Sequence, residues 1–215
     1  MTHEESEARE AVALVCRRLW ERGLVAGQDG NVSVRLESGR ILITPAGFSK
    51  VDVCPQHLVA LADDGTWDGG PLVPSSESAL HLRAYARRPD IGAVVHAHPV
   101  WATALGLAGG SLPENVLPEI TVLLGTVPLV PYGTPGTPTL ADQFDTWWAG
   151  HDVFLMANHG ALTLGRDLRT AHQRMETLEH AVQVVTCARG LGPVRELSRE
   201  QVDRLRAARA ARAVE

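Results

Sequence analysis

The sequence contains almost no lysine, and this shortage limits its chemistry. Of the 20 basic residues, 19 are arginine and only Lys50 is lysine. A mechanism that runs through a lysine Schiff base would therefore have to use Lys50. Because Lys50 lies in a predicted loop flanked by Gly, Ser and Pro residues, we expect its amine to be solvated at the surface. That expectation argues against a Schiff-base mechanism.

Cysteine and long apolar runs are also scarce. The three cysteines, Cys16, Cys54 and Cys187, form no CxxC pair and are too few for a disulfide scaffold. They favour a reducing compartment, so we expect a cytoplasmic protein. No apolar run approaches the roughly 20 residues that a membrane helix needs, and the acidic N-terminus lacks the order of a signal peptide. We therefore expect no membrane partner.

The charge balance is acidic, with a formal net charge of −5 and a pI of about 6.0. This argues against a nucleic-acid surface spread over the molecule. The hydrophobic fraction of 45% and the charged fraction of 21% are typical of a globular protein. The length predicts a single domain over residues 1–215, with a C-terminal helix at about 198–213.

Helical and strand patterns alternate along the chain. Apolar spacing and capping residues predict helices over 3–23, 76–88, 100–108, 139–149, 167–189 and 198–213. They predict strands over 31–36, 41–44, 59–62, 92–97, 127–130, 153–157 and 161–164. The strand at 127–130 should lie at a sheet edge, because Pro128 cannot donate to a ladder. Hairpins interspersed with helices indicate a mixed sheet with helices packed on both faces.

Three histidines stand at the ends of two predicted strands. His96 and His98 alternate at the end of strand 92–97, so their side chains should share one face. His159 follows strand 153–157. Three imidazoles with an open fourth position are typical of catalytic zinc sites, whereas structural sites usually contain cysteine. We therefore predict a zinc site at these histidines, although imidazole sites also accept other divalent transition metals.

A glutamate and two serines stand where a helix begins. Glu77 in the segment Pro-Ser-Ser-Glu would be favoured there by the helix dipole alone. The same helix start, with Ser75 and Ser76, also suits a phosphate group. To the six remaining histidines we assign no role in the site; they are His3, His57, His81, His151, His172 and His180.

Five motifs, taken in order, resemble those of the class II aldolase and adducin family over about residues 5–190. They are Gly-Asn-Val-Ser-Val-Arg (30–35), Ile-Thr-Pro-Ala-Gly (43–47), Ser-Ser-Glu (75–77), Ala-Val-Val-His-Ala-His (93–98) and Asn-His-Gly (158–160). The resemblance implies a three-layer α/β/α sandwich around a mixed, largely antiparallel central sheet. It also implies a homotetramer with active sites at the subunit interfaces.

The resemblance further implies roles for individual residues. The zinc ligands would be His96, His98 and His159, and Glu77 would be the acid/base beside the metal. The substrate phosphate would be held by Asn31, Gly47, Ser75 and Ser76. Two positions depart from the family pattern: Ala46 replaces a phosphate-binding hydroxyl, and Glu119 stands near a tyrosine position, which makes it a possible additional acid/base.

The implied activity is zinc-dependent cleavage of a small phosphorylated ketose, closest to the L-fuculose-1-phosphate type. The products would be dihydroxyacetone phosphate and an aldehyde of the L-lactaldehyde type. A sugar-phosphate epimerase, a decarboxylase and a methylthioribulose-phosphate dehydratase remain open as alternatives within the family. A non-catalytic adducin-like interaction domain is disfavoured, because all three zinc histidines are present.

Overall fold

The computed structural model describes residues 2–212. Six α-helices occur in chain order: α1 His3–Glu21, α2 Ser78–Arg87, α3 Val100–Leu107, α4 Pro138–Asp142, α5 Leu168–Leu191 and α6 Arg199–Arg212. Seven strands accompany them: β1 Asn31–Arg35, β2 Ile41–Ile43, β3 Val59–Leu61, β4 Ala93–Ala97, β5 Leu129–Val130, β6 Val153–Met156 and β7 Ala161–Gly165. Short 3₁₀ turns cover Lys50–Asp52 and Pro55–His57, and a π-helix covers Ile120–Leu124.

The strands form one seven-stranded sheet in the order β3-β2-β1-β4-β7-β6-β5. All neighbouring strands pair antiparallel except β5 and β6, which are parallel. The prediction of a mixed, largely antiparallel sheet is therefore confirmed. Strand β5 lies at the edge, as Pro128 predicted.

Helices cover both faces of this sheet. Buried side chains of α1, α3 and α5 pack on one face, together with Ala93, Val95 and Ala97 of β4. Buried side chains of α2 and α4 pack on the other face, together with Val94. The three-layer α/β/α arrangement is confirmed. Because strand side chains alternate, His96 shares the face of Val94 and points towards α2.

Two of the predicted helix starts carry the expected caps. The Thr2 hydroxyl accepts from the backbone N–H of Glu5 at the start of α1. At the start of α6, Ser198 and Gln201 exchange hydrogen bonds between side chain and backbone, which is a capping box. The predicted end of this helix at residue 213 lies outside the described residues. No helix within residues 2–212 is both long enough and apolar enough to span a membrane.

Helix α4 is shorter than the predicted 139–149 and ends at Asp142. The next residues form turns that place Phe144 and Trp148 in the core, with ring centroids 5.0 Å apart. Both rings also pack edge-on against Phe154 of β6. The apolar spacing over this segment therefore reflects aromatic packing on the sheet, and the predicted helix is wrong beyond Asp142.

The expectation of a solvated Lys50 is wrong. Its side chain is 1% exposed, and its Nζ donates to the backbone carbonyls of Phe48 at 2.7 Å and Gln28 at 3.2 Å. Burial lowers the pKa of this amine, opposed in part by Cys16 and Asp29. The Gln28 carbonyl comes from a segment 22 residues earlier, so local composition could not reveal this contact.

Candidate active site

Strand β4 ends with the first two predicted metal ligands. His96 is completely buried, and its Nδ1 lies 2.9 Å from the carbonyl oxygen of Ala161 on β7. Because a carbonyl only accepts, Nδ1 carries a proton, and Nε2 is the ring atom left to bind either a second proton or a metal. His98 lies just beyond the strand, with its Nδ1 3.4 Å from a carboxylate oxygen of Asp29. Both imidazoles therefore have a partner that orients the ring.

The third histidine lies in the tight turn between β6 and β7. Asn158 has a φ of +56° there, in the left-handed region that Asn tolerates better than most residues. A Cβ added to Gly160 would lie 2.5 Å from the Ala97 carbonyl oxygen and 2.6 Å from a ring carbon of His98. The Asn-His-Gly sequence thus lets this turn lie directly against the end of β4, which brings His159 to the other two histidines.

The three imidazoles converge, as predicted. Their ring centroids are 4.8–4.9 Å apart, and their candidate ligand atoms all lie within 4.8 Å of one another. Zinc-bound nitrogens at about 2.0–2.1 Å lie within about 4.2 Å of each other, so a small inward movement would suffice. The Nε2 atoms of His96 and His98 face each other at 3.1 Å. At this distance two lone pairs would repel, so a proton or a cation must lie between the nitrogens, and these residues fit a divalent metal.

Burial prepares two of these rings for metal binding. It lowers the pKa of His98 to about 4, with a further contribution from His96, and it lowers the pKa of His159 to about 4 for the same reasons. Both rings are therefore neutral at pH 7, the form that binds metal. The Nδ1 of His159 is buried without a hydrogen-bond partner in the described structure.

Glu77 stands beside the histidines at the N-terminal end of α2. It is 7% exposed; one carboxylate oxygen lies 3.2 Å from Nε2 of His96 and the other 3.3 Å from Nε2 of His159. Burial alone would raise its pKa, but the charge and hydrogen bond of His96 and the hydrogen bond from Asn31 outweigh burial. The pKa of Glu77 therefore lies well below its usual range, and the carboxylate is ionised at neutral pH.

Strand β1 brings Asn31 to this carboxylate. In the register of the sheet Asn31 pairs with His96, and its Nδ2 donates to Glu77 at 2.8 Å. The preceding Gly30 has a φ of +73°, and a Cβ there would lie 2.7 Å from the carbonyl oxygen of His96. Glycine is therefore required at position 30 for steric reasons, and asparagine at position 31 supplies the hydrogen bond to Glu77.

The other predicted phosphate residues lie next to Glu77. The segments around Pro45 and Pro74 form an isolated bridge, which places the turn containing Gly47 beside Ser75 and Ser76. Ser75 is buried, and its hydroxyl accepts from the backbone N–H of Glu77. Ser76 is exposed, and Gly47 has a φ of +78° in an uncrowded turn. The fold therefore places one helix start, one turn and the three histidines together.

The remaining predicted residue, Glu119, makes no polar contact with this cluster within residues 2–212. It is exposed at the start of the π-helix, and its side chain makes no hydrogen bond or ion pair within residues 2–212. Sequence reasoning also missed two contributors, Asp29 beside His98 and His81 beside Asn31. The spacing of His81 four residues after Glu77 was the available signal, because such residues share a helix face.

The amino-acid sequence is similar to a known protein family and to characterised relatives. The family model for the class II aldolase and adducin N-terminal domain matches residues 10–186. The 3-oxo-tetronate 4-phosphate decarboxylase of Escherichia coli K12 is 35% identical over 206 residues, which cover 94% of this chain and 96% of that protein. The L-fuculose phosphate aldolase of Methanocaldococcus jannaschii is 34% identical over 170 residues, which cover 79% and 91%.

Structural similarity points the same way. The crystal structure of YgbL from Escherichia coli matches with a TM-score of 0.87 at 34% identity, covering 94% of this chain and 99% of that one. The matched region contains the histidines, the glutamate and both turns of the site described above. This chain belongs to the class II aldolase and adducin family.

Proposed function

We propose that this chain is a metal-dependent lyase that decarboxylates a four-carbon 3-oxo sugar acid phosphate of the 3-oxo-tetronate 4-phosphate class. The observation that carries the proposal is the ionised, buried carboxylate of Glu77 held beside three converging histidines. The substrate class is supported by the relative that is 35% identical over 94% of this chain. Loss of carbon dioxide from such an acid would leave dihydroxyacetone phosphate after protonation.

The residues of the chain have distinct parts in this reaction. A divalent ion held by the three histidines would supply Lewis-acid stabilisation of negative charge on the substrate carbonyl oxygen. Glu77 would give a proton to the carbon that carbon dioxide has left. Negative charge developing beside the carboxylate raises its affinity for that proton. Glu77 can therefore collect a proton from solvent and deliver it within one turnover.

Decarboxylation is favoured over ketose cleavage by the number of acid/base groups. Decarboxylation consumes one proton, whereas cleavage of a ketose also requires a group that removes a proton from the departing hydroxyl. Glu119, the predicted second acid/base, is exposed and makes no hydrogen bond or ion pair with Glu77 within residues 2–212. One acid/base is enough for decarboxylation.

Cleavage of L-fuculose 1-phosphate or a similar ketose phosphate is the second candidate. It is supported by the aldolase relative that is 34% identical over 79% of this chain. The homotetramer implied by the family resemblance would bring Glu119 close to a neighbouring active site. Both candidates share the metal, the acid/base role of Glu77 and the phosphorylated three-carbon product.

The phosphate of the substrate would be bound at the start of α2. Ser76, the turn at Gly47 and the second N–H of the Asn31 amide are the available donors, and Ser75 lines the same corner. A helix start with free N–H groups favours an anion. We further propose zinc as the metal, because three imidazoles are typical of catalytic zinc. A cytoplasmic location is consistent with three free cysteines.

A substrate comparison tests this proposal. The zinc-loaded protein is incubated with 3-oxo-tetronate 4-phosphate and, separately, with L-fuculose 1-phosphate. We expect release of carbon dioxide and dihydroxyacetone phosphate from the first compound, abolished by a chelator and restored by zinc. Release of dihydroxyacetone phosphate from the second compound alone would assign aldol cleavage, and inactivity on both would refute both candidates.

A further inference from the structure

A buried chain of hydrogen bonds runs from Glu77 away from the metal ligands, between the sheet and α2. Asn31 Nδ2 donates to Glu77 at 2.8 Å, and Asn31 Oδ1 lies 2.5 Å from His81 Nε2. His81 Nδ1 lies 2.7 Å from Ser33 Oγ, which is 2.8 Å from the hydroxyl of Tyr85. None of these five residues is more than 7% exposed. The chain is therefore shielded from water along its whole length.

Two elements supply the members of this chain. Glu77, His81 and Tyr85 follow one another at intervals of four residues, so they share one face at the start of and along α2. Asn31 and Ser33 alternate on β1 and therefore share one face of the sheet. The helix face and the strand face interlock, and each strand residue bridges two helix residues.

The direction of every hydrogen bond follows from the chemistry of its ends. A carboxylate only accepts, so the amide nitrogen of Asn31 donates to it and the amide oxygen is left to accept from His81 Nε2. Burial lowers the pKa of His81 to about 3, so the ring carries one proton and its Nδ1 must accept from Ser33. The Ser33 oxygen in turn accepts from Tyr85, whose pKa burial raises so that the phenol keeps its proton.

We propose that His81, Ser33 and Tyr85 are positioning residues, which act on Glu77 through Asn31. All four donors in the chain point towards the carboxylate, and hydrogen bonds aligned in this way polarise one another. The chain fixes the Asn31 amide, and the amide fixes the carboxylate against the metal ligands. None of the three residues touches the reacting atoms. The effect on turnover rests on the proposed function, in which Glu77 carries the proton.

The polarity of the chain can be measured without any substrate. In zinc-loaded protein labelled with ¹⁵N-histidine, the His81 resonances are identified by their loss in His81→Gln. We expect His81 to carry its proton on Nε2, with Nδ1 unprotonated, and Ser33→Ala to shift the Nδ1 resonance. A proton on Nδ1, or no response to Ser33→Ala, would overturn the proposal even if the protein proved inactive on every substrate tried.

Kinetics then test the consequence for Glu77. We expect His81→Leu to lower kcat roughly tenfold to hundredfold, the range typical of residues that support a catalytic group. KM and zinc content should change little, and Ser33→Ala and Tyr85→Phe should have progressively smaller effects. His81→Gln should recover part of the loss, because its amide can donate to Asn31.

A matched variant separates positioning from general destabilisation. His172 on α5 is also a buried histidine, at 5% exposure. Its ion-pair partner is Glu176, which is not one of the five hydrogen-bonded residues. His172→Leu should therefore leave kcat unchanged. If His172→Leu lowers kcat as much as His81→Leu does, or if Ser33→Ala and Tyr85→Phe leave kcat unchanged in an active enzyme, the proposal is wrong. An inactive wild type would instead refute the proposed function. The NMR result would then decide whether the hydrogen bonds run in the proposed direction.

Discussion

Lys50 and Glu77 are both ionisable residues buried in this fold, yet their surroundings differ. Lys50 Nζ donates to the backbone carbonyls of Gln28 and Phe48, groups that neither gain nor lose protons at ordinary pH. Glu77 faces the titratable rings of His96 and His159. Backbone carbonyls cannot exchange a proton with the Lys50 amine, whereas the imidazoles beside Glu77 can exchange protons and bind a metal. We therefore expect Lys50 to stabilise the fold and Glu77 to take part in the proposed reaction.

Among the predicted changes, replacing one of the three clustered histidines should have the largest effect on turnover. His98→Ala leaves two imidazoles, and three are typical of a catalytic zinc site. We expect the purified variant to lose most of its metal and all measurable turnover. Elemental analysis after dialysis measures the occupancy, with His180→Ala as a control on the exposed part of α5. Full zinc occupancy in His98→Ala would place the metal elsewhere.

Changing the proton carrier should have the next largest effect. Glu77→Gln nearly preserves the shape of the side chain but removes its ability to exchange a proton. General acid/base groups typically contribute about 10²–10⁴ in rate, so we expect kcat to fall by that factor with folding and zinc content retained. Steady-state kinetics on the cleaved substrate measure the loss. A wild-type kcat would move the proton transfer to another group, with Glu119 the first candidate.

Lys50→Met tests whether Lys50 stabilises the fold. It leaves the carbonyls of Gln28 and Phe48 without this donor, and we expect the free energy of unfolding at pH 7 to fall by about 1–3 kcal/mol. Zinc content and kcat per folded molecule should be unchanged. Urea unfolding of the two proteins measures the difference, and Lys50→Arg serves as the variant that keeps a donor. Loss of zinc or kcat at unchanged stability would show that Lys50 belongs to the active site.

The same pair of proteins gives a pH dependence with a definite sign. Burial lowers the pKa of Lys50 in the folded state below its value in the unfolded chain, so the unfolded chain binds more protons between these two values. Stability of the wild type relative to Lys50→Met should therefore rise as the pH rises through that interval. A relative stability that falls with pH would mean that the folded state holds this proton more tightly than the unfolded state does.

The smallest effect is expected at Ala46, in the turn beside Ser75. Ala46 is exposed, and its backbone N–H donates to the carbonyl of Val73, so its side chain is free to vary. Ala46→Thr adds a hydroxyl near the proposed phosphate site, and one hydrogen bond to a charged group is worth about 1.5–3 kcal/mol. We expect KM for the phosphorylated substrate to fall by roughly one to two decades. An equal change for an unphosphorylated analogue would show that this turn does not bind phosphate.

Much of the fold was predictable from local pattern. Alternating residues and short apolar runs predicted the positions of all seven strands to within a few residues, and capping residues marked the starts of α1, α5 and α6. The failures share one cause, which is contact with distant parts of the chain. Phe144 and Trp148 follow a helix-like spacing but pack on β6 as turns, and Lys50 is covered by a carbonyl from residue 28.

The sequence by itself predicted the histidine cluster, because strand alternation puts His96 and His98 on one face and imidazole is a typical zinc ligand. Only the tertiary structure decided which residues hydrogen-bond to Glu77 and to one another beside this cluster. Asn31 and His81 are 50 residues apart, and the pairing of β1 with β4 and the packing of α2 on the sheet bring them within 2.5 Å. The periodicity of a single helix or strand can be recognised in the local sequence. Hydrogen bonds between elements depend on the order of the strands and on the packing of the helices, which local sequence does not show.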